Sequence, residues 1–71
     1  MTKYTLHAKI RMEERKISRR EASNVLKHPE QIWRSFDNTF VANKKLNSKI
    51  LGVVFIKENK KTFKIITCYW K

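Results

Sequence analysis

Apolar positions recur at helical spacing in the first third of the chain and gather into short β-branched and aromatic runs in the remainder. From about Thr5 to Lys16, Leu6, Ile10 and Ile17 fall near one direction of a helix with Ala8 and Met12 beside them, which predicts a core-facing strip. Ser18-Arg19-Arg20-Glu21 has the form of a capping box, in which Ser18 accepts from an early backbone N–H and Glu21 reaches back to the cap residue. A second helix therefore starts at Ser18. Ile17 and Ala22 stand where a hydrophobic staple would sit, Ala22, Val25 and Leu26 form the buried face, and Pro29 ends the helix near Lys27 or His28.

Beyond Pro29 the pattern is that of a sheet. Gln31 to Phe36 and Thr39 to Asn43 read as strands joined by Asp37-Asn38, a two-residue hairpin turn. Ser48 to Ile56 and Phe63 to Trp70 carry apolar residues on both faces and read as the central strands, with a solvated turn over Lys57-Glu58-Asn59-Lys60-Lys61. The single glycine, Gly52, lies inside a strand, where it allows close packing or a bulge. Short connections favour an antiparallel meander with both helices on one face. The expected fold is α+β, two N-terminal helices followed by a four-stranded antiparallel sheet, ααββββ.

The length of 71 residues allows one domain over residues 1–71 with room for one core. A lone cysteine, Cys68, excludes an internal disulfide and a cysteine-built zinc site and suits a reducing compartment. No apolar run approaches a membrane span, and the first residues lack the apolar core of a secretory signal, so the expected location is the cytoplasm.

Charge changes the picture more than composition does. Seventeen Lys and Arg against 6 Asp and Glu give a formal net charge of +11, which draws the chain toward polyanions. Nucleic acid, an anionic membrane and an acidic protein all satisfy that argument. The membrane suits it least, because no helix pairs a basic face with a bulky apolar one.

One basic cluster has a definite geometry. On the first helix His7, Arg11 and Arg15 stand at i, i+4 and i+8 in one stripe, where like charges repel unless an anion lies across them. Phosphate fits, since guanidinium groups bind it through paired hydrogen bonds and imidazole adds a group that titrates near neutral pH. The alternatives are a histidine packed or capping at a helix start, and arginines that are solvated or paired with Glu14 or another acid.

The series His7-Ala8, Arg11-Met12, Arg15, Ile17-Ser18, a second helix ending before Pro29, and a closing strand with Thr67 and Tyr69 resembles small prokaryotic domains of undefined function allied to RelE-type toxins. The likeness covers nearly the whole chain. It implies a RelE/barnase-like fold, grouped with barnase, EndoU and colicin-type ribonucleases, and a metal-independent RNA endonuclease or toxin paired with an antitoxin. Related folds also include gyrase-poisoning toxins and inactive members. The resemblance further implies a site of His7, Arg11 and Arg15 with Thr67 and Tyr69.

Metal-independent RNA cleavage needs the 2′-hydroxyl deprotonated, the phosphorane charge stabilised and the leaving 5′-oxygen protonated. His7 is expected as general acid or base, and Arg11 and Arg15 as holders of the scissile phosphate. Tyr69 would donate to a phosphate oxygen, transfer the second proton or stack a base, with Thr67 orienting it. Tyr69 and Trp70 also suit plain packing, and His28 suits a helix end. His7, His28 and Cys68 supply too few ligands for zinc, and there is no glycine-rich phosphate loop, so neither metal nor cofactor is expected.

RNA is the expected partner, with an acidic antitoxin that would cover the basic groove or an exposed sheet edge. The rival is a non-catalytic module binding RNA or DNA through Lys44, Lys45, Lys49, Lys57, Lys60, Lys61 and Lys64. A protein-targeting toxin with a basic surface is the third reading.

Overall fold

A computed structural model describes residues 2–71, the side chain of Phe36 apart. Strand β1 (Thr2–Tyr4) leads into helix α1 (Leu6–Glu14) and helix α2 (Arg19–Lys27), and then come strands β2 (Gln31–Arg34), β3 (Thr39–Leu46), β4 (Lys49–Lys57) and β5 (Phe63–Trp70). The sheet has five strands in the order β1-β5-β4-β3-β2. It is antiparallel from β2 to β5, and β1 lies parallel to β5 with Thr2 opposite Phe63 and Tyr4 opposite Ile65.

This corrects the expected ααββββ arrangement, its four-stranded antiparallel sheet and the RelE/barnase-like fold that came with them. The chain opens with a strand, and the sheet is mixed. A three-residue strand carries too little sequence for a period of two to register, and its partner lies at the far end of the chain.

Both helices pack on one face of the sheet. Ala8 and Met12 of α1, Ile17, and Ala22 and Val25 of α2 meet Ala42, Leu51, Val53, Phe55, Ile65 and Cys68. Phe55 stacks on Phe40 and meets Phe63 edge-on, each with ring centres 5.6 Å apart. The expected core strip of α1 is rotated: Leu6 is 74% exposed and Ile10 46%, while Ala8 and Met12, expected as flanking residues, face the sheet. The cause is the anchoring of the helix start by Thr5, whose N–H donates to the Ile65 carbonyl at 3.1 Å and so fixes the phase of α1 against β5.

The ends of the helices follow local chemistry. Thr5 caps α1, accepting from Ala8 N at 3.0 Å, and Ser18 and Glu21 form the expected capping box on α2. At the end of α1, Ile17 N donates to Met12 O at 2.8 Å and Lys16 N to Glu13 O at 3.3 Å, a Schellman closure with Lys16 at φ 56°. The expected strand to Phe36 stops at Arg34, and the hairpin turn spans Phe36–Asn38, closed by Ser35 N donating to Thr39 O at 2.7 Å. Asp37 and Asn38 both take left-handed backbone, which their short polar side chains tolerate.

Candidate nucleic-acid interface

The strand β1 reaches only as far as Ile65, and α1 takes over along the outer edge of β5 from there. The Thr5 hydroxyl donates to the Ile66 carbonyl at 3.2 Å, and the Arg15 guanidinium donates through Nη1 to the Cys68 carbonyl at 2.6 Å. Trp70 returns a bond from Nε1 to the Arg15 carbonyl at 2.8 Å. These contacts seam α1 to β5 at both ends. Arg15 is the C-cap residue, outside the regular helix, which frees its side chain to turn toward the strand.

A bulge shapes the strand beside this seam. Phe55 pairs with Ile65 and Val54 with Thr67, so Ile66 is the extra residue. The bulge lets Ile65 and Cys68, three apart, both face the helices, and it sends Thr67 and Tyr69 to the opposite, uncovered face. On that face Tyr69 lies opposite Gly52, and a Cβ at Gly52 would come within 2.5 Å of Tyr69 Cζ. Gly52 thus serves close packing, giving the phenol ring room to lean across β4.

The five expected site residues divide into two groups. His7, Arg11 and Arg15 follow one flank of α1, with His7 and Arg15 exposed and Arg11 between them less so, while Thr67 and Tyr69 share the open sheet face. Arg15 joins the groups, since its bond to Cys68 falls between Thr67 and Tyr69 in sequence. Arg11 is instead paired with Glu14 at 2.9 Å, and both side chains are exposed. Among the described residues no hydrogen bond or ion pair joins His7 or Arg11 to Thr67 or Tyr69.

The thiol between them has no nucleophilic character. Burial pushes Cys68 up to about 11, with the nearby Arg15 charge opposing it, so the group is a neutral core thiol at physiological pH. Burial likewise raises Tyr4, against the opposing charge of Arg19, whose guanidinium lies 5.1 Å over the ring. A shallow cleft lies on the other flank of α1, lined by Lys9, Met12, Glu13, Ile17 and Arg19. It contains none of the expected site residues. Among the described residues no three His, Cys, Asp or Glu side chains gather into a group able to hold a metal ion, and no helix is long and apolar enough to cross a membrane.

The open face is the feature that the sequence reading left out. Strand register sets its rows: Lys3, Lys64, Ile56 and Thr39; then Thr67, Val54, Val41 and Trp33; then Tyr69, Gly52, Asn43 and Gln31; then Ile50 with Lys45. Trp33 is 42% exposed there. Of the lysines named for the rival module, Lys45 and Lys64 fall on this face, whereas Lys44 reaches Asn24 and Lys49 lies over Trp70 on the helical side. The alternation of β2 and β3 about Val41 carried the signal, but assigning it to a solvent face needs the helix positions.

Neither the curated proteins nor the solved structures yield a match to this chain. Residues 4–70 match a family described as a domain of unknown function, DUF4258. That span runs from Tyr4, at the end of β1, to Trp70, at the end of β5, and takes in the whole seam between α1 and β5. The chain belongs to the DUF4258 family.

Proposed function

We propose that the protein is a metal-independent RNA endonuclease of the toxin type, acting in the cytoplasm and restrained by an acidic antitoxin. The observation that carries this reading is the bond from Arg15 to the Cys68 carbonyl, which holds the basic flank of α1 against the strand of Thr67 and Tyr69. A kinship with RelE-type toxins rests on the motif residues His7-Ala8, Arg11-Met12, Arg15 and Ile17-Ser18, with Thr67 and Tyr69.

In this reading RNA lies along the seam. The 2′-oxygen attacks the adjacent phosphorus as its proton passes to a base, the bond from phosphorus to the 5′-oxygen breaks, and an acid protonates the departing oxygen. A 2′,3′-cyclic phosphate and a 5′-hydroxyl result. His7 supplies one proton transfer, and Arg11, one turn away, meets the same phosphate by exchanging Glu14 for it. An exposed pair of that kind is worth only about 0.2–1 kcal/mol. Arg15 lies about 12 Å from His7 along the helix axis, so it holds a neighbouring phosphate rather than the scissile one. Thr67 and Tyr69 meet the RNA from the open face.

The test is incubation of the protein with mixed single-stranded RNA in EDTA beside a His7→Ala variant shown to be folded by circular dichroism. Cleavage by the parent alone, leaving cyclic phosphate ends, is expected. Intact RNA overturns the nuclease reading. The pairing of Arg11 with Glu14 favours one alternative, a non-catalytic basic module; its binding would weaken in small, similar steps as lysines are removed and fall steeply with salt.

A further inference from the structure

We infer that the uncovered face of the sheet is a binding surface for unpaired RNA bases, with Trp33 and Tyr69 as its two stacking residues. The inference rests on the RNA reading above and extends it from the phosphate backbone to the bases.

Three features of the face point the same way. Trp33 on β2 and Tyr69 on β5 occupy neighbouring rows of this face, separated by three strand spacings, about 14 Å measured across the strands. Tyr69 leans over Gly52, the one residue without a side chain to lift it, so one side of the ring rests on the sheet and the other looks outward. Between the two aromatics, Val41 and Asn43 are 7% and 4% exposed although no helix covers them, so neighbouring side chains close over them. The result is a closely packed centre with an aromatic ring at each side of it.

Charge identifies the occupant. Lys64 borders the face at one end, beside Lys3, which is paired with Glu58 at 3.4 Å, and Lys45 borders it at the other, in a chain of net charge +11. Cations at the rim with aromatics within suit a strand whose phosphates pass over the lysines while its bases turn inward to stack. Duplex nucleic acid keeps its bases paired and offers no ring face to a flat sheet. The seam of α1 and β5 adjoins this face at Thr67 and Tyr69, so one strand of RNA would cross both.

The experiment measures binding of a fluorescent 2′-O-methyl oligouridine, which attack by a 2′-oxygen cannot cut, with heparin as a purely charged competitor. Trp33→Ala and Tyr69→Ala should each weaken oligouridine binding about tenfold, while Trp33→Phe and Tyr69→Phe bind as the parent does and heparin affinity is unchanged throughout. Folded Trp33→Ala and Tyr69→Ala proteins with parental affinity overturn the inference, as does an equal loss for heparin. Stacking losses in a protein that leaves ordinary RNA intact would keep this surface and remove the nuclease reading. Cleavage that persists in a variant with unaltered binding would do the reverse. A parent that binds no oligouridine removes the surface, and the cleavage assay then decides the nuclease reading separately.

Discussion

The Thr5 hydroxyl accepts from Ala8 N and donates to the Ile66 carbonyl, so a single side chain both starts α1 and secures the bulge of β5. Thr5→Val keeps the shape but loses both bonds, and is expected to lower stability by about 1–2 kcal/mol. Thr5→Ser should stay near the parent. Urea denaturation of the three proteins checks this, and equal midpoints for Thr5→Val and the parent would dissolve the double role.

Gly52 and Tyr69 form a second coupled pair. Gly52→Ala places a methyl 2.5 Å from Tyr69 Cζ, and the ring must move. A loss of about 1–3 kcal/mol is expected, and Tyr69→Leu in the same chain should recover much of it. A double-mutant cycle showing strictly additive effects would mean that the two residues do not meet.

Lys16 holds the left-handed position that closes α1, at φ 56°. A side chain there costs roughly 1–2 kcal/mol, so Lys16→Gly is expected to stabilise the protein by about 1 kcal/mol. For a domain of this size that is a rise in Tm of roughly 4–8 °C. An unchanged or lower Tm would place the cost of this turn elsewhere.

Cys68 makes stability depend on alkaline pH. Burial raises its folded value from 9.0 to about 11, so between these limits the folded chain holds a proton that the unfolded chain has released. The contribution is complete below pH 9 and is lost as pH climbs toward 11. Cys68→Ala, compared with the parent across that range, should show a flatter decline. Parallel declines would refute the assignment, and rapid labelling of the native thiol at neutral pH would contradict its burial.

Much of this architecture is legible in residue order. The capping box at Ser18, the stop at Pro29 and the strand from Phe63 to Trp70 are each written in neighbouring residues, and each stands where local chemistry puts it. What escapes is what depends on distant residues. Thr2–Tyr4 becomes a strand only because β5 offers an edge, and Leu6 and Ile10 turn outward only because Thr5 is bonded to that strand. The same holds at the candidate site. The stripe of His7, Arg11 and Arg15 can be read from helical spacing, whereas the tie from Arg15 to Cys68, the partnership of Arg11 with Glu14 and the exposure of Trp33 follow from packing.

The bond between Thr5 and Ile66 spans 61 positions of the chain, and β1 pairs with β5 across the same separation. A nascent chain therefore cannot assemble the seam piecemeal. Until β5 is made, β1 and α1 have no strand to dock on, and Arg15 has no Cys68 carbonyl to bind. A chain with this topology closes its seam only after β5 has emerged, a delay set by the long loop that must close.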